Sequence, residues 1–487
     1  MTTSPTTSLL GGSALVTIPN VALGVPSALQ CYTWPDGAVT QTFDPQSPPC
    51  VASWPGAAAG NGGATTPGVT GTAIRVGVNT DVSTKTQGIE DSLVDFFNSH
   101  YEFFGRHLQL VNVPGNTETG PPFEKAQADA EQEAKVFIAN DITTGVADDS
   151  TYLAELARDR VIGVSDGGTY ETSEQLAGGG PYLWSVTPVL DTLETDLGSE
   201  ICAQLVGGDA THSQTFKTAR RTFGVLVPNS LQNGGAPSPE ISSLTGALRG
   251  CGVTPAVAYY EGQDGAGEDA LTQLFAQWEA KPVTSVILLD DPDDTSGQVF
   301  PIADALAYRP EWLMAGTGVQ DDPLFWQTGV SDQNAQVFGV LRANKPLPIA
   351  RTIAYQAGEA ADPAFDQVSA GFGESFEVEA LYDFLQFVSA GVQAAGPDLT
   401  PQTFATQLTA LDFPDPGAGQ PPYYQGGIGF GTNHTMIDDV ALAWWDLTGT
   451  NESGASGAFC LIGNGRRWTA GDWPAGDPGF FNQAKGC

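Results

Sequence analysis

Positive charge is what this chain lacks. Nineteen Lys and Arg stand against 56 Asp and Glu in 487 residues, a formal net charge of -37 at pH 7. So strong a negative field repels nucleic-acid phosphates and anionic lipid headgroups at close range, and neither is an expected partner. Long apolar runs are missing as well: no stretch of about 18 apolar residues occurs, so no transmembrane helix is expected. The opening MTTSPTTSLLGGS has neither the basic n-region nor the apolar h-region of a signal peptide, and an exported protein would begin here after its signal is lost. Histidine is sparse: His100, His107, His212 and His434 lie far from every cysteine. No cysteine pair has C-x-x-C spacing either, which argues against zinc. No metal and no cofactor is expected.

What is present is enough to fold. With 41% hydrophobic residues and ten Trp, the chain can bury a core, so its acidity reads as a solvated exterior rather than disorder. The length suggests two or three units. The six cysteines fall into three sequence-local pairs, Cys31 with Cys50, Cys202 with Cys251 and Cys460 with Cys487. Three disulfides in an exported, extracellular or cell-surface protein is the preferred account, against buried free thiols.

Residues 1–72 are rich in Ser, Thr, Pro and Gly and end in PGAAAGNGGATTPGVTGT. Too few periodic apolar positions remain for a helix or long strand, so this segment reads as a tether with one small Cys31 to Cys50 loop. From Ala73 the texture changes. AIRVGV, HLQLVNV and VIGVS read as buried strands, with IEDSLVDFFNSHYEFF, FEKAQADAEQEAKVFI (running into a strand) and TYLAELARDR as helices among them. A second block repeats the pattern: the strands RTFGVLV, TPAVAYY, VTSVILLD and EWLMAG alternate with helical stretches, starting at DTLETDLGSEICAQLV. Repeated strand and helix alternation predicts parallel sheets covered by helices, here as two α/β units. A helix pair, SFEVEALYDFLQFVSAGVQAAG and TPQTFATQLTALD, precedes a strand at VALAWWDL.

Three motifs invite chemistry. GVSDGG fits the G-x-S-x-G pattern of a nucleophilic serine at Ser165, yet the polar TYETSEQLAGGG that follows is too short for the helix behind such an elbow, and no HGGG-like loop precedes it. A serine hydrolase is thus the weaker reading. The acidic loop Asp290 to Gly297 fails the calcium-loop pattern, because counting from Asp291 puts Ser296 at position six and Ile302 at twelve, and a solvated acidic rim is preferred. Trp184 and Tyr170 could stack on a ligand, though packing is the commoner use of such rings.

The ordered fragments AIRVGV, Gly88, Asn98 with Gly105 in GRHLQLV, PYLWSVTP, EALYDFLQFVSAGVQAAG and GGIGFGTNH resemble the type I periplasmic solute-binding proteins of ABC transporters, in the leucine/isoleucine/valine branch. The resemblance implies two Rossmann-like lobes with parallel sheets, joined by three crossings near Val186 to Thr195, Val340 to Ala350 and Gly426 to Asn433. Lobe one would comprise 73–190 and 345–430, and lobe two 191–344 and 431–487, with 1–72 as an irregular extension. It further implies a non-enzymatic protein that holds a small polar molecule between its lobes and hands it to an ABC permease. Carried over by position, Thr143 or Thr144 and Gly167, Gly168, Thr169 and Tyr170 would meet the ligand from lobe one, and Asn233, Asp291 and Thr317 from lobe two. Thr317 stands where amino acid binders carry a glutamate for the ligand ammonium. That loss costs a charge-assisted hydrogen bond of roughly 1.5 to 3 kcal/mol and argues against an α-amino acid ligand unless Asp290, Asp291 or Asp166 substitutes. The competing reading is a surface, sensor or self-assembling structural protein that keeps the fold without transport.

Overall fold

The computed structural model describes residues 15–18, 29–33, 39–41, 44, 46–56, 60–78, 84–113, 121–140, 150–165, 171–228, 241–260, 267–289, 295–317, 320, 326, 331–342, 352–362, 364–365, 375–411, 430, 433–450 and 456–482. Three short strands lead, β1 (Leu15–Ile18), β2 (Leu29–Thr33) and β3 (Val39–Gln41), paired antiparallel in that order. The first large sheet is wholly parallel, built from β4 (Ala73–Val78), β5 (His107–Asn112), β6 (Ile138–Asn140), β7 (Ile162–Ser165) and β8 (Leu183–Ser185) in the order β5-β4-β6-β7-β8. Its central strands are near-continuous apolar runs because both faces are covered. One face packs with α1 (Thr84–His100), whose Ile89, Leu93, Phe96 and Phe97 share a core with Val76, Ile138 and Val164. The other face packs with α2 (Pro121–Glu133) and α3 (Ser150–Asp159) through Ala128, Leu153 and Leu156. The short α4 (Ser173–Gly178) follows β7, capped by Thr172 and Gln175 in a reciprocal box.

The second sheet has eight strands. β9 (Phe223–Pro228), β10 (Ala256–Tyr260), β11 (Ser285–Leu288), β12 (Glu311–Met314) and β13 (Val337–Leu341) run parallel in the order β10-β9-β11-β12-β13. Antiparallel β14 (Val440–Thr450) extends them, with β15 (Ser456–Leu461) and β16 (Arg467–Trp468) both pairing with it. Helices α5 (Leu190–Glu200), α6 (Ile241–Gly250), α7 (Gly267–Ala280) and α8 (Phe300–Ala305) cover this sheet. Helix α5 ends in a π-turn through Leu205, and its Leu193, Leu197 and Ile201 join the core beneath β13 and β14. Strand β13, VFGVL, is absent from the sequence reading. It approaches β12 so closely that a Cβ on Gly339 would lie 2.3 Å from the Met314 carbonyl oxygen.

The chain passes between the sheets three times. It leaves β8 for α5, and it returns after Arg342 to α9 (Ile353–Ala361), α10 (Ser375–Ala395) and α11 (Pro401–Leu408), which complete the first core through Ala354, Tyr382, Phe387 and Phe404. Before the last passage the chain bonds to the first sheet once more: the Ser185 amide donates to the His434 carbonyl at 3.0 Å, and the Met436 amide donates to Ser185 at 2.8 Å. Ile437 still belongs to the first core, and Asp438 and Asp439 lead from it into β14 of the second sheet; most of the expected crossing Gly426 to Asn433 lies outside the described residues.

The Ser/Pro/Gly-rich leader differs from a free tether over its described part, because polar side chains of the first lobe hold it. The buried Arg106 guanidinium donates to the carbonyls of Thr70 (2.7 Å), Pro397 (3.0 Å), Gly63 (3.2 Å) and Asn61. Asp44, fully buried, accepts from Tyr382 Oη at 2.7 Å and from the Gln46 amide at 2.9 Å. Gln393 donates to the Pro49 carbonyl at 2.6 Å, and the Trp54 amide donates to Glu102 at 2.9 Å. Disulfides join Cys31 to Cys50 and Cys202 to Cys251, and Cys460 is also disulfide-bonded. Its expected partner, Cys487, lies outside the described residues.

Candidate functional site

In open α/β sheets the ligand site lies outside the carboxyl ends of the strands, where loops and helix N-termini expose backbone donors. In the first lobe those ends are Val78, Asn140 and Ser165, and in the second Pro228, Leu288 and Met314. Most of the loops that leave them lie outside the described residues, and with them Thr143, Thr144, Gly167, Gly168, Thr169, Tyr170, Asn233 and Asp291. The acidic run from Asp290 to Asp294 lies outside as well. Of the candidate ligand residues, Thr317 is described.

Thr317 sits three residues past β12, and its position is set locally. Gly316 takes a left-handed φ of 76°, a conformation glycine adopts without the Cβ penalty. The chain then turns back so that the Gln320 amide donates to the Thr317 carbonyl at 3.1 Å. The Gln320 side chain pins this turn: its Oε1 accepts from the Ala315 and Gly316 amides at 3.0 Å each, while its Nε2 donates to the Leu288 carbonyl at 3.1 Å. Two strand ends of the second lobe are thereby tied together. Thr317 is 2% exposed and its hydroxyl has no hydrogen-bond partner among the described residues. A buried hydroxyl left in that state costs about 1 to 3 kcal/mol.

Asn140 is the matching feature of the first lobe, and sequence reasoning missed it. It closes β6, is fully buried, and neither its side-chain nitrogen nor its oxygen has a hydrogen-bond partner among the described residues. The available signal was an amide ending the apolar run VFIA immediately before DITTG.

Ser165 ends β7, as read from the sequence. Its hydroxyl is fully buried and donates to Glu171 at 3.0 Å, and the Glu171 carbonyl accepts from the Leu190 amide that opens α5. The group thus braces the way into the first crossing, rather than standing exposed like a nucleophile. Trp184 is packing. Its indole N-H donates to the Pro181 carbonyl at 3.1 Å, and its ring is stacked on His434 with centroids 4.3 Å apart. Nor do the other histidines converge on a site. His100 stacks on Phe96 and is held below its ordinary pKa by burial, against a hydrogen bond to the Phe96 carbonyl. His212 lies beside Asp477 at 3.2 Å, and His107 is exposed. Among the described residues no group of three or more His, Cys, Asp or Glu is placed to hold a metal, and no helix is long and apolar enough to cross a membrane.

No protein-family model and no curated protein matches this sequence. Solved structures do match in three dimensions. The branched-chain amino acid transporter substrate binding protein LivJ from Streptococcus pneumoniae, in complex with isoleucine, superposes with TM-score 0.53 at 13% identity, over 80% of this chain and 99% of that one. The solute binding protein of an ABC transporter from R. palustris, in complex with 4-hydroxybenzoate, gives TM-score 0.55 at 12% identity over 82% and 98%. The fold is that of the ABC-transporter substrate-binding proteins. A fatty acid ABC transporter substrate-binding protein from Thermomonospora curvata covers more of the chain, 88% against 100% of its own length, with TM-score 0.54 and 12% identity. Asn140 ends a strand of the first sheet, and Thr317 lies in the turn just past a strand of the second.

Proposed function

We propose that this chain is an extracytoplasmic solute-binding protein that captures a small polar molecule between its two lobes and delivers it to an ABC permease. The observation that carries the reading is the pair of buried polar groups without partners among the described residues, the Thr317 hydroxyl and the Asn140 amide, at or just past strand carboxyl ends of the two lobes. Buried polar groups are nearly always hydrogen-bonded, so an orphan at such a place is matched by whatever the cleft admits. Both groups are neutral and can donate and accept, which suits an amide, urea, polyol or sugar better than a bare ion. Thr143, Thr144, Gly167, Gly168, Thr169 and Tyr170 from lobe one, with Asn233 and Asp291 from lobe two, complete the proposed site. Two disulfides, with Cys460 in a third, fit an oxidising, exported setting.

A thermal-shift screen over amino acids, amides, sugars and polyols tests this, since ligand at 100 times Kd adds about 2.7 kcal/mol of stability. Thr317→Val then separates the site from the fold. Removing an unpartnered hydroxyl raises the melting temperature of the free protein, while losing one neutral hydrogen bond weakens the ligand by roughly two- to tenfold. A chain that no compound stabilises, or a variant that binds as tightly as the parent, refutes the reading.

A further inference from the structure

The C-terminal run from Arg467 onward crosses lobe two from the sheet-changing crossings to the opposite end of its strands, lying along α5 throughout. Arg467 starts at the crossings: its Nε donates to Asp439 Oδ1 at 2.9 Å, and Nη2 donates to the carbonyls of Asp439 at 2.7 Å and Arg342 at 2.8 Å. It therefore clips the chain entering β14 to the chain leaving β13. Further on, the Ala470 backbone bonds the Asp196 carboxyl, the Gly471 amide donates to Ser199 Oγ at 3.1 Å, and the Gly476 amide donates to the Ala203 carbonyl. Asp477 meets His212, and Phe480 packs on Phe338 of β13. Trp468 and Trp473, stacked on each other, fill the space against Leu197 and Ile201.

Beneath this run lies a polar stripe of α5 and its π-turn. Asp196, Glu200 and Gln204 recur every fourth residue, 2%, 0% and 7% exposed. Both oxygens of Glu200, Oδ2 of Asp196 and both side-chain polar atoms of Gln204 have no hydrogen-bond partner, and neither do the indole N-H groups of Trp444, Trp468 and Trp473. The charged neighbours offer no spare cation. Asp196 faces Asp438, Asp439 and Arg467, of which the arginine is already bonded to Asp439. Glu200 faces Arg221, Asp477 and Glu311, with Arg221 already held by both Glu311 oxygens at 2.8 and 2.9 Å. A third acid of α5, Glu194, turns away to the Leu244 amide. Burial pushes both carboxyls up to about 8, only partly opposed at Glu200 by Arg221 and at Asp196 by the Ala470 backbone and Arg467. Asp477 differs: burial opposes its ionisation, but His212 and the Gly479 and Phe480 amides hold it at about 2.

We propose that residues 467–482 form a proton-latched strap, docked along α5 while Asp196 and Glu200 are neutral acids and released when these two ionise, which frees the crossings from the Arg467 clip. The sign follows from burial: among the described residues an anion here has no unengaged cation to meet, so ionisation favours whichever state admits water. Docking is thus strongest below about pH 4, where the carboxyls are neutral docked or released, and weakens progressively as pH rises to about 8.

Hydrogen exchange of the full chain, with times scaled to the intrinsic chemical rate, tests the latch between pH 6 and 9.5. Protection in 467–482 should fall at least tenfold while that of Phe223–Pro228, in the centre of the second sheet, holds. The double variant Asp196→Asn with Glu200→Gln, neutral at every pH, should keep the strap protected at pH 9.5. Glu200→Gln alone, with about half the effect, serves if the double variant folds poorly. Unchanged protection in the wild type overturns the proposal. So does a parallel fall in strap and sheet, or a neutral variant that opens like the wild type.

Discussion

Replacing Gly68 by alanine tests whether the leader is an integral part of the first lobe. Gly68 has a φ of 78° in the left-handed region, and a Cβ built there would sit 2.3 Å from the Phe137 nitrogen and 2.6 Å from both Phe137 Cα and the Val136 carbonyl carbon. All three are backbone atoms at the entry to β6, so no side chain can swing aside. The Gly68 carbonyl also accepts from the Arg75 amide of β4 at 2.8 Å, which fixes its distance from the sheet. Gly56 supplies the control, because its φ of 95° carries the same conformational penalty with nothing within 4 Å of the added methyl. Gly56→Ala should cost about 1 to 2 kcal/mol for the left-handed backbone, less a few tenths regained from a stiffer unfolded chain. Gly68→Ala bears those same terms and adds roughly 1 to 3 kcal/mol of overpacking against immovable backbone. Equilibrium urea unfolding followed by far-UV circular dichroism reads the difference as a lower midpoint at unchanged slope. If the two variants unfold within about 0.5 kcal/mol of each other, the leader does not press on the sheet and its docking is wrong.

Three further outcomes follow from the same packing. Reducing Cys202–Cys251, which closes a loop of 49 residues, should cost about 4 kcal/mol on the chain-entropy account, seen as a lower melting temperature in a Cys202→Ala, Cys251→Ala variant. Asp44, raised to about 6 by burial against the bonds from Tyr382 and Gln46, contributes stability that is complete below pH 4 and lost as pH rises through 6. Asp44→Asn should therefore remove about 2 to 3 kcal/mol of pH dependence between pH 4 and 7, measured as urea midpoints. Arg106→Lys should destabilise by about 2 to 4 kcal/mol, since an ammonium cannot reach four carbonyls set around a planar fork, and proteolysis should then cut within residues 46–72 first. An Arg158→Lys control, at a side chain half in solvent, should stay within about 0.5 kcal/mol of the parent.

The sheets were legible because their strands obey one rule. AIRVGV, VIGVS, RTFGVLV and VTSVILLD are apolar on both sides, and helical periodicity separates them, so the parallel strands of both sheets and their covering helices could be written down from residue order. Strand β13 escaped because VFGVL is short and carries a glycine, which reads as a break until Met314 is seen lying where its side chain would be. The leader escaped for another reason. Its docking rests on hydrogen bonds from Arg106, Tyr382, Gln386 and Gln393 to its backbone and to Asp44, and these partners lie between 36 and 344 residues away without any periodic signature in the leader itself.

The candidate site was less legible than the fold, and its loops explain why. Function in this architecture sits on the segments between strand ends and helices, where residue type is set by a ligand the sequence does not name. Thr317 was proposed by position, but what holds it, the Gln320 side chain bridging β11 and the β12 turn, has no pattern of its own. The scarcity of positive charge also takes on a different meaning here. Arg106 binds the leader, Arg221 the floor of the second sheet and Arg467 the crossings to the tail. Each is largely buried and engaged with carbonyls or a carboxylate. Among the described residues, the unpartnered polar side chains at the strand ends named above are a hydroxyl, Thr317, and an amide, Asn140. Both groups are neutral, so under the proposed reading a neutral polar solute is the chemistry to screen first.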